Sequence, residues 1–335
     1  MINLDGVAYI WGGNPEMAIA ELEAILYVYD RDSYVQASKG RLVYFKASEE
    51  AIKRVNAQAA FTRYAGTVVG EISNGRLGDI WLTLRDVDLS AFKVIDKTGL
   101  GLERQLGDVI VKAYHGKVSL ERPHTLIVTA KSDDKVIVLA VQAPPEKGFW
   151  ARKNKRVYFE ISALSPQLAR FLVNLAMVKE GSLFLDPFAG SMSIPAEAAS
   201  LGAYVIGSDV DIQSAQGGFE NMKNMFISGW DVLVADAIHP PFREGIFDSI
   251  ASDPPFGRLK KPFGNMGSYL DFLSSFVLSA GRLLSPLGGL AFLLPQGIDQ
   301  ELLPWEEAGL KLLRLIPMRA HKSFTRYVAR AIKTG

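Results

Sequence analysis

After Ser165 the sequence settles into one rhythm, a strand-type run followed by a helical stretch, and holds it almost to the C-terminus. PQLARFLVNLAMV (166–178) opens a helix with proline at its first position, where a missing N–H costs nothing. SLFLD (182–186) is a short apolar run of the buried-strand kind, and SIPAEAASLG (193–202) is a helix stopped by Gly202. AYVIGSD, DVLVAD, FDSIASD and GGLAFLLP repeat the strand signal, with DIQSAQGGFENMKNM and a long helix over 268–284 between them. Strands separated by helices cannot close hairpins with one another, so they pair in parallel, and a parallel sheet has to be covered on both faces. Residues 161–335 are therefore expected to form a doubly wound α/β domain, finished by two β-type stretches, KLLRLIPMR and RYVARAIK.

Upstream the pattern differs. VAYIWG (7–12) is a strand signal. Asn14-Pro15-Glu16 then starts a helix with a cap, a proline and an acid in the first turn. SYVQA and RLVYFKA read as strands around an SKG turn, SEEAIKRVNAQ as a helix capped by Ser48, and AGTVVGEI as a last strand. The β-α-β-β-α-β order is the ferredoxin-like one, and it assigns 1–72 to an N-terminal α+β domain. Over 73–145, ERQLGDVIVKAYHG is an amphipathic helix ending at glycine, and TLIVTAKSDDKVIVLAVQ is a hairpin turning at Ser132, Asp133 and Asp134. Pro144 and Pro145 introduce a basic linker over 146–160.

With no cysteine in 335 residues, disulfides, thiolate zinc and a cysteine nucleophile are excluded. His115, His124, His239 and His321 lack metal-ligand spacing, so no metal is expected. Neither a secretory leader nor an apolar run of membrane-spanning length is visible, which leads to the expectation of a soluble, cytoplasmic monomer with no membrane partner. A net charge of +1 neither requires nor forbids a polyanionic partner, because a polyanion meets local charge.

Four stretches fall at the carboxyl ends of successive expected strands, where a doubly wound sheet binds its ligand. Asp186-Pro187-Phe188-Ala189-Gly190-Ser191 leaves a strand and opens a helix, so small residues and backbone N–H groups can approach a nucleotide-like ligand. Asp209-Val210 ends the next strand, where an acid accepts ribose hydroxyls while Asp211 remains to cap the helix. Asp236-Ala237 ends the third and places an acceptor for an adenine amine. Alone, each is an ordinary turn, cap or loop acid; in order and one strand apart they are specific.

The fourth stretch, Asp253-Pro254-Pro255-Phe256, carries the chemistry. The exocyclic amine of a purine is a weak nucleophile because its lone pair is delocalised into the ring. The Asp253 carboxylate and the Pro254 carbonyl can hold its hydrogens, two prolines stiffen the acceptors, and Phe256 offers a stacking face. Asp253 can also accept a ring N–H beside the amine, a pairing guanine offers and adenine does not. The competing reading of this stretch is a rigid proline turn.

Within KGFWARKNKR (147–156), Lys147, Arg152, Lys153, Lys155 and Arg156 occur with Trp150 and no acid. Cations neutralise phosphates and aromatics stack on unpaired bases, so this run is a candidate RNA contact rather than a merely solvated face.

FLDPFAGSMSIPAEAA, GSDVD, VADAIHPPF and FDSIASDPPFGR together resemble the THUMP-domain tRNA guanine-N2 methyltransferases, and within them the archaeal enzymes acting on guanosine-10. The resemblance covers 160–335 by motif and 1–150 by architecture. It implies a class I, Rossmann-like methyltransferase domain behind a ferredoxin-like domain (1–72) and a THUMP RNA-binding domain (73–145), with S-adenosylmethionine as cofactor and tRNA as partner. It places Asp186 to Ser191 along the methionine moiety, Asp209 at the ribose, Asp236 at the adenine, Pro166 near the cofactor, and Asp253 to Phe256 as the catalytic tetrad. The family's glycine two positions after Gly190 is Met192 here, which is expected to pack beside the ligand. An N6-adenine methyltransferase, whose tetrad more often begins with Asn, a catalytically silent RNA-binding adaptor and a nicotinamide oxidoreductase stay as rivals, the last lacking its GxGxxG loop.

Overall fold

The computed structural model describes residues 4–73, 80–142, 148–160, 163–255, 269–321 and 324–335. The chain forms two compact units, 1–147 and 148–335.

In the first unit the local signals act as read. Strand β1 (Leu4–Ile10) leads to α1 (Pro15–Tyr29), where Asn14 accepts the Met17 N–H at 3.3 Å. Strands β2 (Tyr34–Lys39) and β3 (Leu42–Ala47) precede α2 (Glu49–Gln58), capped by Ser48, and β4 (Thr62–Ser73). The boundary expected between 72 and 73 therefore falls at the end of one long strand. Then come β5 (Ile80–Leu82), β6 (Phe92–Asp96), α3 (Glu103–Tyr114) and the hairpin β7 (Thr125–Ser132) to β8 (Lys135–Gln142). All join one eight-stranded sheet in the order β2-β3-β1-β4-β8-β7-β6, with β5 on β4.

This sheet curls. Tyr44 of β3 and Ser132 of β7 lie four places apart in it, yet their hydroxyls are 2.6 Å apart, and Lys39 pairs with Asp133 at 3.0 Å. The concave face buries Val7, Leu42, Leu126, Val128, Ile137 and Leu139, while the helices cover the other face over Phe45 and Phe92. Alternate residues of β7 and β8 thus serve two cores, which explains why that hairpin reads as continuously apolar.

The second unit begins with α4 (Phe149–Lys153) and α5 (Pro166–Leu175), capped by Ser165. Strand β9 (Leu183–Asp186), α6 (Ser193–Ala199), β10 (Tyr204–Asp209), α7 (Ile212–Asn224), β11 (Trp230–Val234) and β12 (Phe247–Ser252) follow. Helix α8 (Tyr269–Leu283), β13 (Leu284–Leu294), β14 (Leu310–His321) and β15 (Phe324–Lys333) complete it. The sheet order is β11-β10-β9-β12-β13-β15-β14, parallel from β11 to β13 and antiparallel at β15. The order reverses at β9, so the crevice between the ends of β9 and β12 is the topological switch point. Asp186 ends β9, and Asp253 follows β12 immediately.

Candidate active site

The loop leaving β9 is shaped by two backbone positions. Gly190 has φ +45° and Met192 φ +62°, left-handed values that turn the chain sharply into α6. The Asp209 carboxylate ties this loop to β10 by accepting the Gly190 N–H at 3.0 Å and the Asp211 N–H at 3.0 Å. Asp211 caps α7 by accepting the Gln213 N–H, the cap role expected of it. The Met192 side chain is fully buried, and a Cβ on Gly207 of β10 or Gly218 of α7 would collide with it. Two glycines on neighbouring elements thus open the space that a methionine occupies beneath the loop.

Asp186 is 1 % exposed. Ser252 Oγ donates to its Oδ1 at 2.5 Å and the Phe188 N–H donates at 3.1 Å. Burial pushes the carboxyl up to about 8, with the nearby Asp209 and Asp253 adding to the rise and the two hydrogen bonds opposing it. Among the described residues no Lys or Arg pairs with Asp186. A buried acid facing two others, without a cation of its own, suits a ligand that brings positive charge and hydroxyls. The phenyl ring of Phe188 points away from this group, packing on Phe272 at 5.6 Å and Phe276 at 5.3 Å.

Asp236, beyond β11, is exposed and accepts from Ile238 N and His239 Nδ1 at 3.0 Å each. Ala237 is buried, with its carbonyl held by Ser279 Oγ, and Val210 is exposed at the lip of β10. Pro187, Ala189 and Ser191 are buried in the loop, and Pro166 is buried at the start of α5.

Asp253 lies at the other wall of the crevice with a partner the sequence reading missed. Arg326 of β15 grips the carboxylate with both terminal nitrogens, Nη2 on Oδ1 and Nη1 3.4 Å from Oδ2. Both side chains are largely buried, at 9 % and 17 % exposure. Burial raises the Asp253 carboxyl, and the Arg326 guanidinium counteracts that. Pro254 is buried and Pro255 half-buried; Phe256 lies outside the described residues.

A second missed element is the strap over 157–160. Asn221 of α7 accepts the Val157 and Tyr158 N–H groups at 2.8 Å and donates to the Tyr158 and Ser191 carbonyls. Glu160 then hangs over the loop, held by Ser214 Oγ at 2.7 Å, with an oxygen 2.5 Å from where a Cβ on Gly190 would stand. Any side chain at 190 would meet that carboxylate.

The basic run divides. Arg152 makes a two-pronged pair with Glu197 of α6 at 2.6 and 2.9 Å, and Arg170 approaches the same carboxylate at 2.8 Å. Arg156 is 7 % exposed, and burial lowers its pKa. Of the run expected to contact RNA, Arg152 is thus paired within its own unit and Arg156 is buried. Lys153 and Lys155 are exposed, Lys155 lying 5.6 Å from the Phe226 ring. Lys147 and the Trp150 side chain lie outside the described residues.

The first unit carries a cationic cluster that no run in the sequence announced. Arg41 lies 5.2 Å from the Tyr9 ring, Arg63 4.9 Å from Trp11 and 5.7 Å from Tyr64, and Lys97 5.9 Å from Tyr64. Burial and then the neighbouring Arg63 lower the Lys97 pKa. None of the three cations makes an ion pair among the described residues.

Residues 153–301 match the family described as UPF0020, RMKL-like, methyltransferase domain. The chain is 30% identical over 328 residues to a protein of Methanothermobacter thermautotrophicus named tRNA (guanine(10)-N2)-dimethyltransferase, with 94% of this chain and 95% of that one covered. A Pyrococcus abyssi protein of the same name is 30% identical over 68% of this chain and 67% of its own. Among solved structures, TrmN from Thermus thermophilus covers 98% of this chain and 99% of its own, with a TM-score of 0.50 at 22% identity, a likeness of fold. Among the described residues no group of side chains could hold a metal, and no helix is long and apolar enough to cross a membrane.

Proposed function

The chain belongs to the tRNA (guanine(10)-N2)-dimethyltransferase family, and we propose that it transfers methyl groups from S-adenosylmethionine to the exocyclic N2 of a tRNA guanosine, position 10 being the target in the family's name. One observation carries the site-level reading. The switch point of the parallel sheet holds Asp186 and Asp209 on one side and the Arg326-gripped Asp253 on the other.

Bound in that crevice, S-adenosylmethionine supplies a methyl group made electrophilic by a sulfonium. Asp186 and the 187–191 backbone would hold its methionine end, Asp209 and Val210 the ribose, and Asp236 and Ala237 the adenine, with Pro166 near the cofactor. Asp253 does the work on the substrate side: its carboxylate accepts a hydrogen from the guanine amine, the Pro254 carbonyl accepts the other, and the nitrogen lone pair is turned toward the methyl. The target base leaves its stem to reach this turn, and Phe256 would stack on it. Arg326 is a positioning residue, favouring the ionised form of Asp253 against the burial that raises its pKa and fixing its orientation. Positioning and electrostatic acceptance supply most of the rate, with no covalent enzyme intermediate.

For the RNA, residues 1–72 as a ferredoxin-like domain and 73–145 as a THUMP domain would supply the second contact, and the Arg41, Arg63 and Lys97 cluster with its aromatics supports that reading. Lys153 and Lys155 are the exposed cations of the basic run that could meet phosphate. We place the protein in the cytoplasm as a monomer. The N6-adenine alternative is disfavoured by an acid, rather than an amide, at 253.

The test is incubation with labelled cofactor and tRNA, followed by nuclease digestion and mass spectrometry. N2-methylguanosine and N2,N2-dimethylguanosine mapping to one stem position are expected. Label in N6-methyladenosine, or no transfer at all, would overturn the assignment.

A further inference from the structure

The Asp253 side of the crevice has a further polar group, and it belongs to no part of the site derived above. Tyr269 opens α8, and its ring stacks on Phe272 at 5.7 Å and 28°, the same ring that packs against Phe188 of the cofactor loop. The ring is thus fixed from below. Its hydroxyl oxygen is shut off from solvent and has no hydrogen-bond partner among the described residues. It stands near enough to Asp253 and Arg326 for both charges to act on its titration, which burial, first, and the Asp253 charge push upward.

A buried hydroxyl without a partner is disfavoured wherever a phenylalanine would fill the same space, which marks this one as a donor waiting for an acceptor. Guanine's pairing edge presents a 6-oxo acceptor, the N1–H donor and the N2–H donors in a row. Asp253 offers acceptors only, and both Arg326 terminal nitrogens are already turned to Asp253. What the edge still requires is one donor for the 6-oxo oxygen.

We propose that Tyr269 is a specificity residue for the purine, donating its O–H to the 6-oxo group of the guanine whose N1–H and N2–H face Asp253. The assignment rests on the guanine-N2 reading of the site and names the group that distinguishes guanine from adenine, whose amino group at that position is itself a donor. Adenine would then set an N–H against the tyrosine O–H and offer Asp253 neither of the two hydrogens that guanine brings.

The test pairs a substrate change with a side-chain change. A tRNA with 6-thioguanosine at the methylated position keeps N1–H and the amine but replaces the oxygen with a weaker acceptor. The unmodified enzyme should methylate it with kcat/KM about 10-fold or more below that for guanosine. Tyr269→Phe should lose about 10- to 100-fold on guanosine while the guanosine-to-thioguanosine ratio falls to near one. Affinity for S-adenosylhomocysteine should stay unchanged in the variant, which shows that the fold and the cofactor side are intact. If the unmodified enzyme treats both bases alike, or the ratio survives in Tyr269→Phe, the proposal is overturned. Because both outcomes are read against methylation of guanosine by the unmodified enzyme, they are distinct from a failure of the guanine-N2 reading, in which no such methylation occurs.

Discussion

Two charged regions stand out in the sequence, the acids at the strand ends and the basic run at 147–156, and the structure treats them differently. Asp186, Asp209 and Asp253 converge on one crevice, close enough that Asp209 and Asp253 raise the Asp186 carboxyl. The basic run splits, with Arg152 paired to the buried Glu197, Arg156 buried, and Lys153 and Lys155 at the surface. The difference teaches what makes charge legible. An acid at the end of a strand in a βα alternation is located by the scaffold, since every such end lies on the same edge. A run of cations in a connecting stretch carries no periodicity, so nothing local says which side chains face inward. A buried carboxylate on another element, here Glu197 of α6, decides that.

The sharpest way to break the contrast is Asp253→Asn. Single-turnover methylation should fall by about 10²- to 10⁴-fold with cofactor affinity nearly unchanged, as expected for a group whose acceptors act on the reacting amine. Loss of cofactor binding instead would move Asp253 out of its role. Arg326→Ala should follow with a smaller loss and a distinctive pH profile. Burial raises the Asp253 carboxyl and Arg326 holds it down, so removing the guanidinium must shift the acid limb of the rate to higher pH. An unmoved limb would reduce Arg326 to packing.

On the basic side, Glu197→Ala should destabilise the protein by about 3–5 kcal/mol, since it strands buried guanidiniums without their counter-charge. Thermal unfolding reads this directly, and a variant as stable as the parent would show that the pair is dispensable. Asp186 sharpens the acid side through pH. Its carboxyl is raised from an ordinary 3.8 to about 8, so the stability it contributes without ligand is full below about 3.8 and is lost as pH rises through about 8. A ligand bringing positive charge favours the ionised form, so cofactor affinity should strengthen with pH across the approach to 8, and Asp186→Asn should abolish that dependence. Isothermal titration at several pH values checks both. The smallest effect is expected for Lys153→Ala with Lys155→Ala: tRNA affinity falls a few-fold and the slope of log affinity against log salt drops by about 2, roughly 0.9 per phosphate released. An unchanged slope would make both lysines bystanders.

Much of this was legible in the chain itself. The caps at Asn14 and Ser48, the β7–β8 hairpin and the doubly wound alternation follow from local chemistry. The rest depends on distant parts of the chain. Arg326 reaches Asp253 only because β15 inserts antiparallel between β13 and β14, a placement invisible in RYVARAIK. Met192 looked like a departure in the cofactor loop because Gly207 and Gly218, which make its space, sit on other elements. The Arg41, Arg63 and Lys97 cluster assembles from the residue before β3, from β4 and from the residue after β6 as the first sheet curls, so no window of sequence contains it.

A crystal structure with S-adenosylhomocysteine tests the account most directly. The ligand should lie across the ends of β9 and β10, with its sulfur facing Asp253 across the crevice and Arg326 still gripping that carboxylate. A ligand seated elsewhere, or an Asp253 turned away from the sulfur, would contradict it.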